Sequence, residues 1–552
     1  MKICLAFAKI QQLKQMEIIS NEHIGLGYIA NSLSQKNYDY KIIDGHFFDY
    51  SIEEMAKRIL DEKFDVIGFS VVYSNFRDTI EIIDLIKKMN PNIFVFLGGQ
   101  HVSFCAKEIL INNKNVDLIM CGEGEFTTIE LMEYLEGKKE LEEIQGITYR
   151  SNDARMIREN AWRQPRTRIE DYGEIKRDVL DEGLQKGLTC SLNIMAGRGC
   201  IFNCSFCTGN RIFNPYKNCS WRVSIAENIV KNLKDLIRKY NKYDNLYEIV
   251  NFCDLNFINE TKDGLKWIDD FTNLMKQENL DIWFYVMTRV DSIVNQQKRM
   301  KQLRDCGLVQ VEMGLESGND QGLAVYNKHI STSQSIKAVN LLRKLRIDFG
   351  MSGFIMYHPY ITLDELRKNS EFLMKIEYWK VLFLYTKMAL YPGAEITEQV
   401  KKTNLLYDTY SHYEVYDYRF QDERIEVLYN SIVEKIPFEI LNEYSESISY
   451  IELQMTLNYR KLERISTLTE TDFNKRIHSI ELPLNQNIYL SKELIHKFFL
   501  ESISLAEEGW NEKKFETLAG VFSLKYTKIN DKIIKLYDDY GNNILEFLEV
   551  GD

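Results

Sequence analysis

The chain has 552 residues, enough for roughly three or four domains, and 45% of them are hydrophobic, so large cores are expected. The formal net charge of −12 argues against nucleic acid as the main ligand, because a phosphate backbone calls for a basic face. The N-terminus turns polar too soon for a secretory signal, no apolar stretch reaches membrane-spanning length, and the ten cysteines show no regular pairing, so we expect a cytoplasmic protein.

Residues 1–150 alternate β-rich and helical segments in five units with short connections. This pattern predicts an α/β domain with a doubly wound parallel sheet. The expected strands are 3–7, 41–43, 66–70, 93–97 and 118–121.

Three turns follow strands of this sheet, and ligands of such sheets bind beyond the carboxyl ends of the strands. Glycines there let the backbone approach a flat or bulky ligand. The turns supply a set of candidate binding residues: Ser70, Val71, Gly98, Gly99, Gln100, His101, Gly122, Glu123 and Gly124.

Residues 151–185 are charged and irregular, and we expect a surface linker. The strand 191–195 then leads into Arg-Gly-Cys-Ile-Phe-Asn-Cys-Ser-Phe-Cys, in which Cys200, Cys204 and Cys207 have C-x3-C-x2-C spacing. Three thiolates hold three irons of a [4Fe–4S] cluster and leave the fourth iron open for a substrate or cofactor. The alternatives are buried structural cysteines or a zinc site, but no fourth ligand follows within ten residues.

Further β-α units run from residue 186 to residue 400 and give six expected strands, the last at 381–390. Sites in parallel barrels lie at the carboxyl ends of strands, and polar residues follow several of these strands. Asp254 follows the second strand and is a candidate ligand-binding residue or a helix cap. Arg289 follows the third and is a candidate partner of a carboxylate, or of Asp291. His358 follows the fifth, where it is a candidate acid or base or a histidine fixed by packing.

Residues 401–552 match no motif. They contain a tyrosine-rich run at 407–418, several helical stretches and a possible terminal hairpin at 521–549. A mostly α-helical lid and substrate-recognition domain is the expectation, with plain core packing as the alternative.

The cysteine spacing, with Phe206 just before the third cysteine, resembles the radical SAM family. Gly314-Leu315-Glu316-Ser317-Gly318 is similar to the family's G-x-E-S-G element, and Lys328 continues that pattern or is a solvated surface lysine. The resemblance implies a partial (β/α)6 barrel, a [4Fe–4S] cluster on the three cysteines and S-adenosylmethionine on the open iron. It implies S-adenosylmethionine contacts at Phe206, Asp254, Arg289 and Glu316, with Glu316 on the ribose hydroxyls.

Residues 1–150 resemble the cobalamin-binding domain of one radical SAM class, on the turns Leu97–His101 and Gly122–Glu125. The resemblance implies that the nine turn residues named above contact cobalamin. Asp44-Gly45-His46 fits the D-x-H-x-x-G motif poorly. The resemblance implies that no protein imidazole binds cobalt, since members of this class generally lack that histidine. Two alternatives are a domain that binds no corrin and a second cluster held by Cys4, Cys105 and Cys121, as in tRNA methylthiotransferases.

Together these resemblances imply a cobalamin-dependent radical SAM C-methyltransferase that acts on an unactivated carbon of a small metabolite or peptide. A reductant such as flavodoxin or ferredoxin is the implied partner, with no nucleic acid and no membrane. The alternatives are a ring-rearranging, cyclising or oxidising radical enzyme with cobalamin as redox partner or absent, and a cobalamin- or S-adenosylmethionine-binding protein without turnover. An iron–sulfur electron carrier would not need Glu316 or the barrel.

Overall fold

The computed structural model describes residues 1–10, 19–151, 156–213, 215–216, 221–351, 353–407 and 415–549. These residues form two compact units. The first contains the described residues up to 286 and those between 389 and 417. The second contains the described residues between 287 and 388 and from 418 onward. Most of the tyrosine-rich run at 407–418 lies outside the described residues.

The N-terminal part of the chain is built on a seven-stranded sheet. Its strands, and a short β2 that stands apart from it, are β1 Lys2–Phe7, β2 Ser20–Asn21, β3 Asp39–Asp44, β4 Val66–Ser70, β5 Phe94–Gly98, β6 Leu118–Met120, β7 Ile147–Arg150 and β8 Ile157–Glu159. The helices between them are α1 Ile24–Gln35, α2 Ile52–Asp61, α3 Phe76–Met89, α4 Ala106–Asn112 and α5 Glu125–Leu135.

The strand order is β3-β1-β4-β5-β6-β7-β8, and the pairs from β3 to β6 are parallel. The sheet is doubly wound because the chain moves to one side of β1 for β3 and to the other side for β4, which creates a switch point between β1 and β4. Ile3 to Phe7 are all buried, as expected for a parallel strand covered on both faces. Cys4 and Ala6 face one hydrophobic core while Ile3 and Leu5 face the other. The predicted doubly wound sheet is therefore confirmed.

Two features of this region were not predicted. β7 and β8 extend the sheet with antiparallel pairing, and β8 lies inside the expected irregular linker. The same linker contains a helix, α6 Asp178–Gln185, and a short 3₁₀ helix at Ile169–Tyr172. The linker is more structured than its charged sequence suggested.

The central part of the chain alternates short strands and helices. The strands are β9 Cys190–Ser191, β10 Asn193–Ile194, β11 Gly197–Gly199, β12 Trp221–Val223, β13 Ile249–Phe252, β14 Trp283–Arg289, β15 Leu308–Gly314 and β16 Asp348–Gly350. The helices are α7 Gly209–Phe213, α8 Ala226–Tyr240, α9 Lys262–Gln277, α10 Val290–Asn295, α11 Gln297–Asp305, α12 Asp320–Val325, α13 Thr332–Lys344 and α14 Leu363–Lys375.

Parallel pairing joins β10 to β13 and β13 to β14 in the first unit, and β15 to β16 in the second. The sixth strand expected at 381–390 is not a continuous strand in the structure. Val381–Leu384 is a 3₁₀ helix, and the residues after it form only isolated bridges, Tyr357 with Lys387 and Leu390 with Tyr416. The mixed α/β fold class is nevertheless confirmed, with this one strand reduced to bridges.

The C-terminal part is helical: α15 Glu395–Val400, α16 Glu423–Lys435, α17 Phe438–Ile465, α18 Glu470–Glu508 and α19 Glu512–Glu549. The predicted terminal hairpin at 521–549 is wrong, because α19 is one continuous helix through that range. Its buried residues repeat at intervals of three, four or seven, as a helix packed along one face requires. They are Phe515, Ala519, Phe522, Tyr526, Asn530, Ile533, Tyr540, Ile544 and Phe547.

Among the helices in the described part of the chain, none combines the length and apolarity that a bilayer crossing needs. The domain boundaries expected at 150, 185 and 400 stay predictions.

Candidate active site

The strand before the cysteine loop is fixed on two sides. β11 pairs antiparallel with β12, with Arg198 directly opposite Arg222. The buried carboxylate of Asp254 accepts hydrogen bonds from the backbone N–H groups of Ala196 at 3.0 Å and Gly197 at 2.6 Å. Asp254 thus holds the backbone that leads into the loop, a contact that neither sequence interpretation of this residue had foreseen. Burial raises the pKa of Asp254 to about 7, against the opposing effect of these two donors.

The cysteine loop is compact and its ends are anchored. The N–H of Cys207 donates to the carbonyl of Cys204 at 3.1 Å, and the carbonyl of Ser205 accepts from the N–H of Ile396 at 3.0 Å. Immediately after the last cysteine, Thr208 Oγ1 accepts a hydrogen bond from Gln100 Nε2 at 2.9 Å. The loop is therefore tied to one of the glycine turns of the N-terminal sheet.

The donor set of the loop fits an iron–sulfur cluster. Cys200 and Cys204 are partly exposed, and Cys207 is exposed. Among the described residues, no three Cys, His, Asp or Glu side chains are placed to hold a single metal ion. In a [4Fe–4S] cluster each thiolate ligates a different iron, so the three sulfurs do not have to meet at one ion.

A buried ionic network joins the second glycine turn to the same loop. Arg198 donates to Glu123 at 3.2 Å and to Glu125 at 2.6 Å, and Arg222 donates to Glu123 at 2.6 Å. The hydroxyl of Tyr172 also donates to Glu123. Burial acts against the charge of Glu123, but Arg198 and Arg222 outweigh it and lower the pKa of this carboxyl. Glu123, expected only as a cobalamin contact, is thus the acceptor of two arginines.

A cavity of about 300 Å³ opens at the carboxyl ends of the parallel strands, beside the switch point. Seven of the nine turn residues expected to contact cobalamin line it: Ser70, Gly98, Gly99, Gln100, Gly122, Glu123 and Gly124. The other two are buried nearby, Val71 in the core and His101 against the ring of Phe76, with 5.5 Å between ring centroids. Arg198 lines the cavity as well, two residues before Cys200.

The glycines of this cavity suit a flat ligand. Gly99 has φ +108°, and a Cβ atom there would lie 2.6 Å from the carbonyl oxygen of Val71, so the turn requires glycine. Gly98 and Gly124 meet nothing closer than 3.4 Å, so side chains at these positions would occupy the space that the cavity leaves for a ligand. This glycine-lined cradle fits a corrin.

The second-cluster alternative finds no support in the sheet. Cys4, Cys105 and Cys121 are buried in one hydrophobic core. Burial raises the pKa of Cys105 and Cys121 to about 12 and that of Cys4 further still. Because thiolates, not thiols, ligate iron, these cysteines are core residues.

His23 is a cavity residue that the sequence analysis missed. Its Nδ1 accepts a hydrogen bond from the N–H of Leu26 at 3.2 Å, capping α1, and its Nε2 lies 2.9 Å from Ser70 Oγ. Since Nδ1 accepts, the ring proton of the neutral form is on Nε2 and is donated to Ser70. The hydroxyl proton of Ser70 is then available to a ligand. Burial lowers the pKa of His23 to about 4, which keeps the ring neutral.

In the second unit, the G-x-E-S-G turn follows β15. Glu316 is buried and has φ +66°, a strained conformation for a residue with a side chain. Its Oε1 accepts from Lys328 Nζ at 2.7 Å, so Lys328 is a buried ion-pair partner and not a solvated lysine. A strained backbone conformation that the surrounding structure enforces is typical of ligand-binding turns.

Asn369 of α14 holds this turn, and no sequence motif pointed to it. Its Oδ1 accepts from the N–H of Gly318 at 2.8 Å and from Asn319 Nδ2 at 2.9 Å. Gly318 permits the approach of α14, because a Cβ atom there would lie 2.6 Å from Phe372 Cβ. The glycine and the asparagine together explain why the turn can be buried and strained.

Arg289 and His358 also lie in the second unit, and both are buried. Arg289 donates to both carboxylate oxygens of Asp291, at 2.8 and 3.1 Å, and to the carbonyl of Lys328 at 2.6 Å. The pairing with Asp291 is therefore present.

His358 Nδ1 accepts from the N–H of Tyr360 at 3.3 Å, and its buried Nε2 has no hydrogen-bond partner among the residues that the structure describes. Burial lowers the pKa of His358 to about 4. The neutral ring thus carries its proton on Nε2 and presents a donor.

Comparison with known families agrees with both halves of this site. The B12 binding domain model matches residues 21–132, and the Radical SAM superfamily model matches residues 194–373. An uncharacterized methyltransferase of Pyrococcus horikoshii is 29% identical over 412 residues, which cover 74% of this chain and 84% of the relative. The anaerobic magnesium-protoporphyrin IX monomethyl ester cyclase of Rubrivivax gelatinosus is 25% identical, over 58% of this chain and 56% of the relative.

A solved structure has the same fold. The cobalamin-dependent S-adenosylmethionine radical enzyme OxsB, with aqua-cobalamin and S-adenosylmethionine bound, superimposes with a TM-score of 0.68 at 18% identity. The match covers 100% of this chain and 84% of that one. The two family models, B12 binding domain and Radical SAM superfamily, give the cofactors of the chain as cobalamin, S-adenosylmethionine and a [4Fe–4S] cluster. With its cysteine loop, its glycine-lined cavity and both family domains, the chain belongs to the cobalamin-dependent radical SAM enzymes.

Proposed function

We propose that the protein is a C-methyltransferase that places a methyl group on an unactivated carbon of a small molecule or peptide. The observation that carries the proposal is the position of Arg198, which lines the glycine-lined cavity and stands two residues before the first cysteine. When bound, the three cofactors supply the radical that abstracts hydrogen and the methyl group that replaces it. In methyl transfer, the radical and the methyl group must reach the same carbon. Arg198 connects the two sites concerned, because it lines the cavity and directly precedes the cysteine loop.

The roles of the site residues follow from their chemistry. Cys200, Cys204 and Cys207 hold the cluster, with Phe206 beside the bound S-adenosylmethionine. Glu316 accepts the two ribose hydroxyls of S-adenosylmethionine, for which a single carboxylate is suited. Its strained, buried turn supports this role, since such strain persists only where the surroundings enforce it.

Three further residues orient groups and exclude water. Asp254 acts through the backbone of Ala196 and Gly197, which it holds in place ahead of the cluster loop. Arg289 attracts the carboxylate of S-adenosylmethionine while Asp291 fixes its orientation. His358 donates its Nε2 proton to an acceptor atom of the substrate, because its low pKa keeps the ring neutral and its Nδ1 is already occupied.

The methyltransferase from Pyrococcus horikoshii supports methyl transfer, since it aligns over most of both chains. The electron for each turnover comes from a reductant such as flavodoxin or ferredoxin. Such a reductant and an oxygen-sensitive cluster together favour a reducing compartment.

The proposal is tested with anaerobically reconstituted protein, a reductant and S-adenosylmethionine. 5′-Deoxyadenosine is expected from the wild type and not from the Cys200→Ala, Cys204→Ala or Cys207→Ala variant. Cys306→Ala is the matched control, because Cys306 is a buried cysteine outside the loop. Absence of 5′-deoxyadenosine from the wild type would contradict the radical chemistry.

A second candidate is a cyclising, ring-rearranging or oxidising reaction in the same scaffold, and the cyclase of Rubrivivax gelatinosus favours it. The two candidates differ in the fate of the methyl group. S-adenosylmethionine labelled in its methyl carbon leads to labelled product if methyl transfer occurs. Product that forms together with 5′-deoxyadenosine but without label would favour the second candidate.

A further inference from the structure

Both flanks of the cysteine loop are held by side chains from the two glycine turns that line the cobalamin cavity. On the N-terminal flank, Arg198 is bound by Glu123 and Glu125. On the C-terminal flank, Thr208 is bound by Gln100. We call these five residues the clamp. No motif predicts it, because its partners are 73 to 108 positions apart in sequence.

The two halves of the clamp differ in rigidity. Arg198 is 5% exposed and its guanidinium also lies over the rings of Tyr28 and Tyr172, at 4.8 and 4.1 Å. Buried ion pairs of this kind contribute little net stability but fix geometry, since any displacement leaves a buried charge unpaired. The C-terminal half is one neutral hydrogen bond, so it is the weaker half and depends on how well the Gln100 turn is ordered.

Four of the five clamp residues also touch the cavity. Gln100, Glu123, Glu125 and Arg198 all line it. A ligand that fills the cavity restricts the turns, and the turns restrict the loop. When one ligand orders a segment that a second ligand needs ordered, the second binds more tightly, and the effect is reciprocal.

We propose that the clamp couples the two cofactor sites, so that cobalamin in its cavity slows the loss of iron from the cysteine loop and the assembled cluster tightens cobalamin binding. Gln100, Thr208, Glu123, Glu125 and Arg198 are positioning residues in this coupling. The inference requires that both cofactors bind and is independent of which reaction they perform, so failure of methyl transfer leaves it standing.

The test measures iron loss from the reconstituted holoenzyme to a ferrous-iron chelator under anaerobic conditions, with and without saturating hydroxocobalamin. Hydroxocobalamin is expected to slow iron release by the wild type at least fivefold, the lower end of usual coupling strengths. Thr208→Val keeps the shape of the side chain but removes the acceptor of Gln100. It is expected to weaken the effect about fivefold, which corresponds to ~1 kcal/mol for one hydrogen bond.

Asn115→Ala is the matched control. Asn115 Nδ2 donates to Asp84 Oδ1 at 2.7 Å on an exposed face of the same domain, away from the loop. This variant is expected to show the wild-type slowing of iron release. A spectroscopic titration adds a second readout: hydroxocobalamin is expected to bind cluster-loaded wild type more tightly than cluster-free wild type.

Equal iron-release rates with and without hydroxocobalamin in the wild type would overturn the proposal. So would a Thr208→Val variant that retains the full effect, because the C-terminal half of the clamp would then transmit nothing. Equal hydroxocobalamin affinity of the cluster-loaded and cluster-free protein would overturn it as well.

Discussion

Replacement of Glu123 by glutamine tests the buried network in front of the cysteine loop. Glu123 is 8% exposed in its side chain and accepts from Arg198, Arg222 and Tyr172. Glutamine leaves Arg198 with Glu125, but it leaves the buried Arg222 without a carboxylate among the ion pairs described for it. Removing one partner of a buried pair costs about 3–5 kcal/mol, because the remaining charge is uncompensated.

The assay is amide hydrogen exchange of the cofactor-free protein, read at 118–125 and 197–199. Glu123→Gln is expected to accelerate exchange at the most protected amides there by roughly two to three orders of magnitude, at 1.4 kcal/mol per tenfold. Glu130→Gln is the matched control, because Glu130 pairs with Arg163 in the same domain but is 23% exposed. It is expected to cost less than about 1 kcal/mol. Equal effects of the two variants would refute the assignment of the network as a buried, geometry-fixing element.

Three other predictions concern the two cofactor sites. Glu316→Gln is expected to weaken S-adenosylmethionine binding at least tenfold in calorimetry, because charge-assisted hydrogen bonds contribute about 1.5–3 kcal/mol each. An unchanged affinity would exclude Glu316 from the ribose site. Gly318→Ala is expected to destabilise the protein by about 1–3 kcal/mol in denaturant unfolding and to weaken S-adenosylmethionine binding, because the new Cβ would collide with Phe372. Wild-type behaviour in both assays would contradict the packing argument. The pKa of His23 is about 4 in the folded state and 6.5 in the unfolded state, so the unfolded state binds the proton at higher pH. The free energy of unfolding therefore decreases as the pH falls from about 6.5 to about 4, by no more than ~3 kcal/mol. His23→Gln is expected to flatten that pH dependence, and an unchanged profile would count against a neutral His23.

The features that sequence predicts well here are local. C-x3-C-x2-C spacing places three thiols within eight residues, independently of the rest of the fold. Glycines at strand ends indicate backbone conformations that other residues avoid, as at Gly99. The strands from 3 to 121 were recognisable because a parallel strand covered on both faces is a continuous apolar run. Their order also brings the three turns that follow these strands to one edge of the sheet.

The features that sequence did not predict depend on distant partners. Glu123 looks like a turn residue until Arg198, 75 positions away, is placed against it. Asn369 has no motif because its role is defined by the turn it contacts. The hairpin expected at 521–549 is a helix because the buried residues from Phe515 to Phe547 have helical spacing and pack along one face of α19.

The most direct test of the account follows both halves of the proposed reaction in one vessel. Anaerobic holoenzyme with cobalamin, reductant and methyl-labelled S-adenosylmethionine is incubated with candidate small molecules and peptides, and 5′-deoxyadenosine and labelled product are measured together. We predict that a substrate raises 5′-deoxyadenosine formation and carries the label on carbon, and that both signals disappear in the Cys204→Ala variant. Product that appears without label, or labelled product that forms equally in the Cys204→Ala variant, would contradict the account.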